Sequence, residues 1–349
     1  FKSLLVAPAT LGLLAPMSAT ANEVTIKDFT PAEQLAVTNS RVDALEARLN
    51  NFEAGSFSET TTASFSADFL LGAVDGVAAE DALNAVYGFQ IDLSTSFTGE
   101  DSLDISIDAG NGGNGITQVD LNEASAGDDI LAVDGISYTF PMGEKITVGV
   151  GNDYAGSSLY STACVYGGPT KGLDDCGNAM SAMDASEATG LSASFDIGNG
   201  FAAAVGYEGE GDTTSGLMTK QGTDTYGAQL SYSADQYAAS VTYANYDTST
   251  TDTTYWGLNG YWTPSETGTA VPSISVGYEV GNPNNTSVDT SHYFIGLQWD
   301  EAGPGTLGVA MGTKEHTADT AVEYLEYEVF YSYPINDGMT ITPLAFVRE

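Results

Sequence analysis

Basic residues are scarce: Lys and Arg together number 9 in 349 residues, against 47 Asp and Glu, and the formal charge at pH 7 is −38. A surface this acidic repels nucleic acid and anionic headgroups, so nucleic acid is not expected as a partner. No window holds 18 or more uninterrupted apolar residues, so a membrane-spanning helix is not expected. Cysteine is limited to Cys164 and Cys176 and histidine to His292 and His316, too few for a convincing structural zinc site; no metal and no cofactor is expected. Long helices would also need more Lys, Arg and Leu than the chain holds.

Glycine and aromatics are plentiful, with 40 Gly, 19 Tyr and 14 Phe, a composition suited to strands and tight turns. In "QYAASVTYANYD" (236–247), Tyr237, Ala239, Val241 and Tyr243 fall on one face of a strand, and Ala238, Ser240, Thr242 and Ala244 on the other. The same alternation predicts fifteen strands near 57–73, 85–98, 102–109, 130–140, 145–151, 187–198, 201–208, 223–233, 236–247, 253–263, 271–281, 290–300, 305–313, 322–333 and 339–347. Short turns such as "GED" (99–101), "PMGE" (141–144) and "GNG" (198–200) alternate with longer polar segments at 74–84, 110–129, 152–186, 209–222, 248–252, 282–289 and 314–321. That asymmetry belongs to an outer-membrane barrel, and a soluble sandwich has no reason to show it. The fold class expected is therefore all-β, a transmembrane antiparallel barrel. Tyrosines and valines would face lipid, and serines, threonines and glycines a water-filled lumen, with Tyr237, Tyr243, Tyr327, Tyr331 and Tyr333 in interfacial girdles.

Ahead of the strands, residues 1–21 read as a signal peptide with an Ala19-Thr20-Ala21 cleavage site, and 22–33 as a linker. Residues 34–54 read as a coiled-coil helix, with Leu35, Val42 and Leu49 in one seam position and Thr38, Leu45 and Phe52 in the other; a single amphipathic helix packed on a domain is the alternative. The barrel would occupy 56–349. Bacterial single-chain barrels have even strand numbers, so sixteen strands are expected for an intact barrel, with the C-terminal one missing here.

The signal "SLLVAPATLGLLAP", the heptads "RVDALEARL" leading into "SFSETTTASFSADFLLGA", the hairpin "YWGLNGYWTPSETGTAVPSISVGY" and "YFIGLQWDEAG" resemble the cyanobacterial outer-membrane porins grouped with the carbohydrate-selective and iron-uptake porins. The resemblance covers nearly the whole chain, and "GYWTPSETG" is its most specific part. It implies a homotrimer of sixteen-stranded barrels in outer-membrane lipid, passing small hydrophilic solutes and ions, with sugar or iron implied by the family's names. The surface-layer homology domain of many members has no counterpart in "NEVTIKDFTPA", so cell-wall anchoring does not carry over.

Alternation places Asp68, Asp92, Asp104, Asp108, Asp196, Glu279, Glu326 and Glu328 on the lumen side, with Lys145 beside a turn, Lys171, Lys220 and Lys314 in loops, and no basic residue inside a strand. Such a wall either favours cations or only hydrates a wide lumen. The third long loop, 152–186, occupies the place of the loop that narrows trimeric porins. Its candidate constriction residues are Asp153, Lys171, Asp174, Asp175 and Asp184, and covering the outer mouth is the alternative position for it. In an exported chain Cys164 and Cys176 read first as a disulfide, and second as two free thiols.

Catalytic signals are weak. "GNGGNG" (110–115) matches G-x-G-x-x-G but sits in a loop with no helix following it. His292, at a predicted rim near Asp289 and Ser291, is the one plausible base for an outer-membrane hydrolase. The expectation is a channel and not an enzyme, with a structural outer-membrane protein as the other alternative.

Overall fold

The computed structural model describes residues 61–349, apart from 77–81, 112–117, 120, 122–129, 183–188, 212–213, 267, 269 and 315. The expected signal, linker and coiled-coil helix lie outside the described residues, as does Asp184.

The chain folds as one antiparallel sheet of seventeen segments: β1 Thr61–Gly72, β2 Asn84–Thr95, β3 Ser102–Gly110, β4 Ala132–Met142, β5 Ile146–Asn152, β6 Thr189–Gly198, β7 Phe201–Gly209, β8 Asp224–Ser233, β9 Tyr237–Asp247, β10 Asp252–Trp262, β11 Ser273–Pro283, β12 Thr290–Ala302, β13 Gly305–Thr313, β14 Thr317–Ala318, β15 Leu325–Asn336, β16 Met339–Ile341 and β17 Leu344–Arg348. Each strand pairs with its successor in the chain, except that the two-residue β14 flanks β12 while β13 pairs directly with β15. β16 and β17 are two pieces of one strand along β15, interrupted at Thr342-Pro343 because proline has no N–H for the ladder. The wall therefore has fifteen staves.

Alternation sets the two faces. Between β9 and β10, Val241 opposes Leu258 and Tyr243 opposes Trp256 on the outside, while Thr242 opposes Gly257 and Ser240 opposes Asn259 on the inside. The outer face carries exposed apolar residues all the way round, among them Phe69 on β1, Val150 on β5, Leu230 on β8, Leu258 on β10 and Val329 on β15. Only lipid makes such a belt stable. Toward the short turns, outward Phe201, Tyr232 and Tyr237 form a run of ring contacts, and a second outward pair, Tyr243 and Trp256, lies farther along the wall. The two-residue hairpin between β6 and β7 puts both Asn199 (φ 57°) and Gly200 (φ 85°) in the left-handed region, as an I′ turn requires.

One connection breaks the short–long alternation: 263–272, between β10 and β11, is longer than 248–251 on the opposite rim. β1 and β17 both run toward the long-connection rim, and among the described residues no ladder joins them. Their inner faces still meet, because Leu70, Leu344 and Phe346 pack on a cluster of Val86, Val119 and Leu121.

Candidate functional site: the third loop inside the barrel

The connection between β5 and β6, residues 153–188 and here called L3, enters the barrel with its described residues 153–182 instead of capping its mouth. Its backbone is held by side chains of the inner wall at three buried glutamates. Glu208 on β7 accepts the Gly156 N–H at 2.7 Å. Glu279 on β11 accepts those of Met180 at 3.0 Å and Ser181 at 2.6 Å. Glu328 on β15 accepts the Thr170 N–H at 3.2 Å and the Tyr166 hydroxyl at 2.6 Å. A carboxylate is suited to this work because it accepts several N–H groups that the loop leaves without ladder partners. Gln229 on β8 adds a two-way clamp, accepting the Ser161 N–H at 2.6 Å and donating to the Ser161 carbonyl at 2.9 Å.

The apolar side chains of L3 seat on the same wall. Tyr166, Leu173 and Cys176 pack with Phe294 of β12, Ala310 of β13 and Phe330 of β15. Cys164 and Cys176 are joined in a disulfide that closes this stretch. The wall accommodates the loop through inward glycines: a Cβ at Gly206 would overlap the Gly156 carbonyl, and one at Gly277 the Cys176 carbonyl. Burial pushes the Tyr166 hydroxyl well above its usual range, with the Glu328 charge adding to it, so Tyr166 stays a neutral donor.

Gln118, Val119 and Leu121 also enter the lumen. Val119 forms an antiparallel bridge with Thr170, and the Gln118 carbonyl accepts the Lys171 N–H at 2.9 Å. The Arg348 side chain donates to Gln118 from the other side. Between L3 and the wall lies a cavity of about 80 Å³ bordered by Tyr160, Asp175, Asn178, Ser181, Gln229 and Thr242, polar and roomy enough for water.

L3 thus covers one side of the lumen. Ser192, Glu208, Thr225, Thr242, Ser275 and Glu279, on β6 to β11, are each at most 2% exposed. Ser64 on β1 is exposed, and Asp92, Ser94, Asp104 and Ser106 on β2 and β3 are half-buried on the inner face. The passage that L3 leaves open runs along β1 to β4.

The eight carboxylates assigned to the lumen all lie on the inner face, but they divide into distinct environments. Asp68, Asp92 and Asp104 stand along the uncovered wall; Asp92 accepts the Ser106 hydroxyl at 2.8 Å and Asp104 the Ser102 hydroxyl at 2.8 Å. Asp196 is exposed at the short-turn rim, accepting the Gly198 N–H at 2.8 Å. Asp108, Glu279, Glu326 and Glu328 are buried, from 0% to 3% exposed, and do not face a bath. This corrects the expectation of eight solvated carboxylates: loop packing, which alternation does not encode, takes four of them out of water. Glu208 has the same role as Glu279 and Glu328 and was missed, although it shares parity with inward-facing Ala202, Ala204 and Gly206.

The expectation that no strand carries a basic residue is also corrected. Arg348 ends β17 on the inner face, with its Nε 3.3 Å from Glu326 Oε2. Among the L3 residues, Lys171 and Asp174 are exposed, Asp153 opens the loop with φ 52°, and Asp175 accepts the Gly177 N–H at 2.7 Å.

His292 is not at a hydrated rim. It is 3% exposed inside the barrel, its Nδ1 2.8 Å from Thr313 Oγ1. Ser291, one residue along the strand, points to the opposite face and bonds Asp319 at 3.4 Å, so no nucleophile–base pair forms there.

No family model matches the chain. An uncharacterized protein of Nostoc sp. is 32% identical in a 150-residue alignment that covers 36% of this chain and 26% of that protein, so the chain spans about a quarter of the relative's length. Several solved structures share the fold. An anion-selective porin from Comamonas acidovorans superposes with a TM-score of 0.57 and 14% identity, over 83% of this chain and 90% of that one. OprB of Pseudomonas putida gives 0.55 and 12%, over 82% and 88%. An outer-membrane protein of Vibrio cholerae, OmpT with loop L8 deleted, gives 0.53 and 11%, over 83% and 94%. With its apolar outer belt, its alternating connections and its inward third loop, the chain has the fold of the bacterial outer-membrane porins, a membrane-spanning β-barrel.

Proposed function

We propose that the protein is a passive diffusion channel for small hydrophilic solutes and ions, working as a homotrimer and preferring cations. The observation that carries this reading is the one-sided lumen. L3 is fixed against β6 to β15, and the wall left open along β1 to β3 bears Asp68, Asp92 and Asp104. Among the described residues the inner face also carries Arg348, which is 3.3 Å from Glu326, and L3 exposes Lys171. Carboxylates along a narrow aqueous path concentrate cations and repel anions, more so at low salt.

The resemblance in sequence extends the proposal to sugars, inorganic ions and iron as solutes. A reversal potential across a planar bilayer in a KCl gradient tests the charge preference. Potassium is expected to pass more readily than chloride, and Asp92→Asn with Asp104→Asn to reduce the preference, most visibly at low salt. Chloride preference in the unaltered protein would overturn the role given to these carboxylates.

A further inference from the structure

The chain has two histidines, 24 positions apart in sequence, and both are inside the barrel with their rings stacked, 5.5 Å between centroids and 21° between planes. Their surroundings match. Nδ1 of each meets a threonine hydroxyl, Thr313 for His292 at 2.8 Å and Thr290 for His316 at 3.0 Å. Nε2 of each meets a carboxylate that belongs to L3 or holds it. His292 faces Asp175 of L3 at 3.7 Å, and His316 meets Glu279 at 2.5 Å, the same glutamate that accepts the Met180 and Ser181 N–H groups.

We propose that the histidine pair is a proton-operated latch that fastens the C-terminal half of L3 to the wall. Histidine is the side chain whose charge ordinarily changes between pH 5 and 8. When both rings are neutral, the fully buried Glu279 carboxylate gains no positive charge from His316, and Asp175 gains none from His292, a costly arrangement for a charge in a low-dielectric site. When both rings are protonated, the four groups sum to zero. Repulsion between the stacked imidazoliums is opposed by a carboxylate at each Nε2.

The other groups facing the pair do not reverse the sign. Tyr255 of β10 packs edge-on against His316 as a neutral ring. On the β15 side, Glu326 interacts with Arg348, Glu328, Lys314 and Asp175; beyond Asp175, already counted, this set holds two negative and two positive charges. Proton uptake therefore strengthens the hold on L3, and proton loss as pH rises weakens it.

Hydrogen exchange of residues 176–182 in the detergent-solubilised protein, corrected for the intrinsic pH dependence of exchange, reads the latch without requiring any solute to pass. Failure of this proposal is thus distinguishable from failure of the channel reading. Protection is expected to be on the order of tenfold greater at pH 5.5 than at pH 8, the scale of one charge-assisted hydrogen bond. His292→Gln with His316→Gln should remove the difference while the β-sheet circular dichroism of the barrel is unchanged. His316→Lys, which keeps a positive charge beside Glu279, should be protected at both values. An unaltered protein with equal protection at the two pH values would overturn the latch, as would a glutamine variant or a lysine variant that keeps the full native difference.

Discussion

Leu173 is 1% exposed and sits in the apolar cluster that seats L3 on β12, β13 and β15. Replacing a fully buried leucine by alanine costs about 2–5 kcal/mol, the lost transfer energy plus the cavity left behind. No wall ladder includes residue 173, so the loss should fall on the seating of L3 and spare the barrel. At a factor of ten per 1.4 kcal/mol, the opening equilibrium of L3 should shift by about 30-fold to a few thousand-fold. Amide exchange followed by mass spectrometry would show this as faster exchange at 170–182 in Leu173→Ala, with β13 and β15 unchanged. Val309→Ala, a truncation on the lipid face of the adjacent strand β13, is the control and should leave L3 exchange as it was. Unchanged exchange of L3, or equal acceleration in the wall strands, would refute a loop that docks as a separable unit.

Cys164→Ser with Cys176→Ser should loosen the closed segment of L3 by about 2–3 kcal/mol, the scale for a short loop, and accelerate exchange at 164–176 without lowering the melting temperature of the barrel. In the turn between β2 and β3, Asp101 accepts bonds from Tyr138, Ser96, Phe97 and Thr98, and the Tyr138 hydroxyl in particular holds its carboxyl well below the usual carboxylate range. A depressed carboxyl stabilises the fold above its unfolded-state pKa and loses that contribution as pH falls through the folded value. The order of residues 96–101 should therefore persist at pH 5 and fall away only under strong acid, whereas Asp101→Ala should lose it already at neutral pH; proton NMR of the turn amides over an acid titration reads both.

The wall was legible because its signal is local. A two-residue period with turn residues between runs marks each of the fifteen staves within a few positions, and the same parity puts Asp92, Glu279 and Glu328 on the inner face. The location of L3 within the lumen was suggested by its rank in the strand order and by the resemblance to known porins; its pattern of contacts was not readable. Which inner-wall groups a loop covers depends on tertiary docking, so a glutamate that clamps backbone and an aspartate that faces water look alike in sequence. Glu208 and Arg348 were overlooked for a smaller reason: each stands at a strand terminus, where boundaries are least certain. The burial of His292 has a partial signal in Phe294 two residues later, an apolar side chain on a face otherwise read as polar, which marks a wall covered from within.

The central claim, a conducting path along β1 to β4 with L3 sealed against the opposite wall, is tested most directly by covalent block of single channels. Asp92→Cys and Thr242→Cys place a thiol on the uncovered wall and behind L3, respectively, and both native cysteines are already joined to each other. A membrane-impermeant, positively charged methanethiosulfonate added to an open channel should lower the unit conductance of Asp92→Cys within seconds and leave that of Thr242→Cys unchanged. Equal block at the two positions, or block at Thr242→Cys alone, would contradict the account.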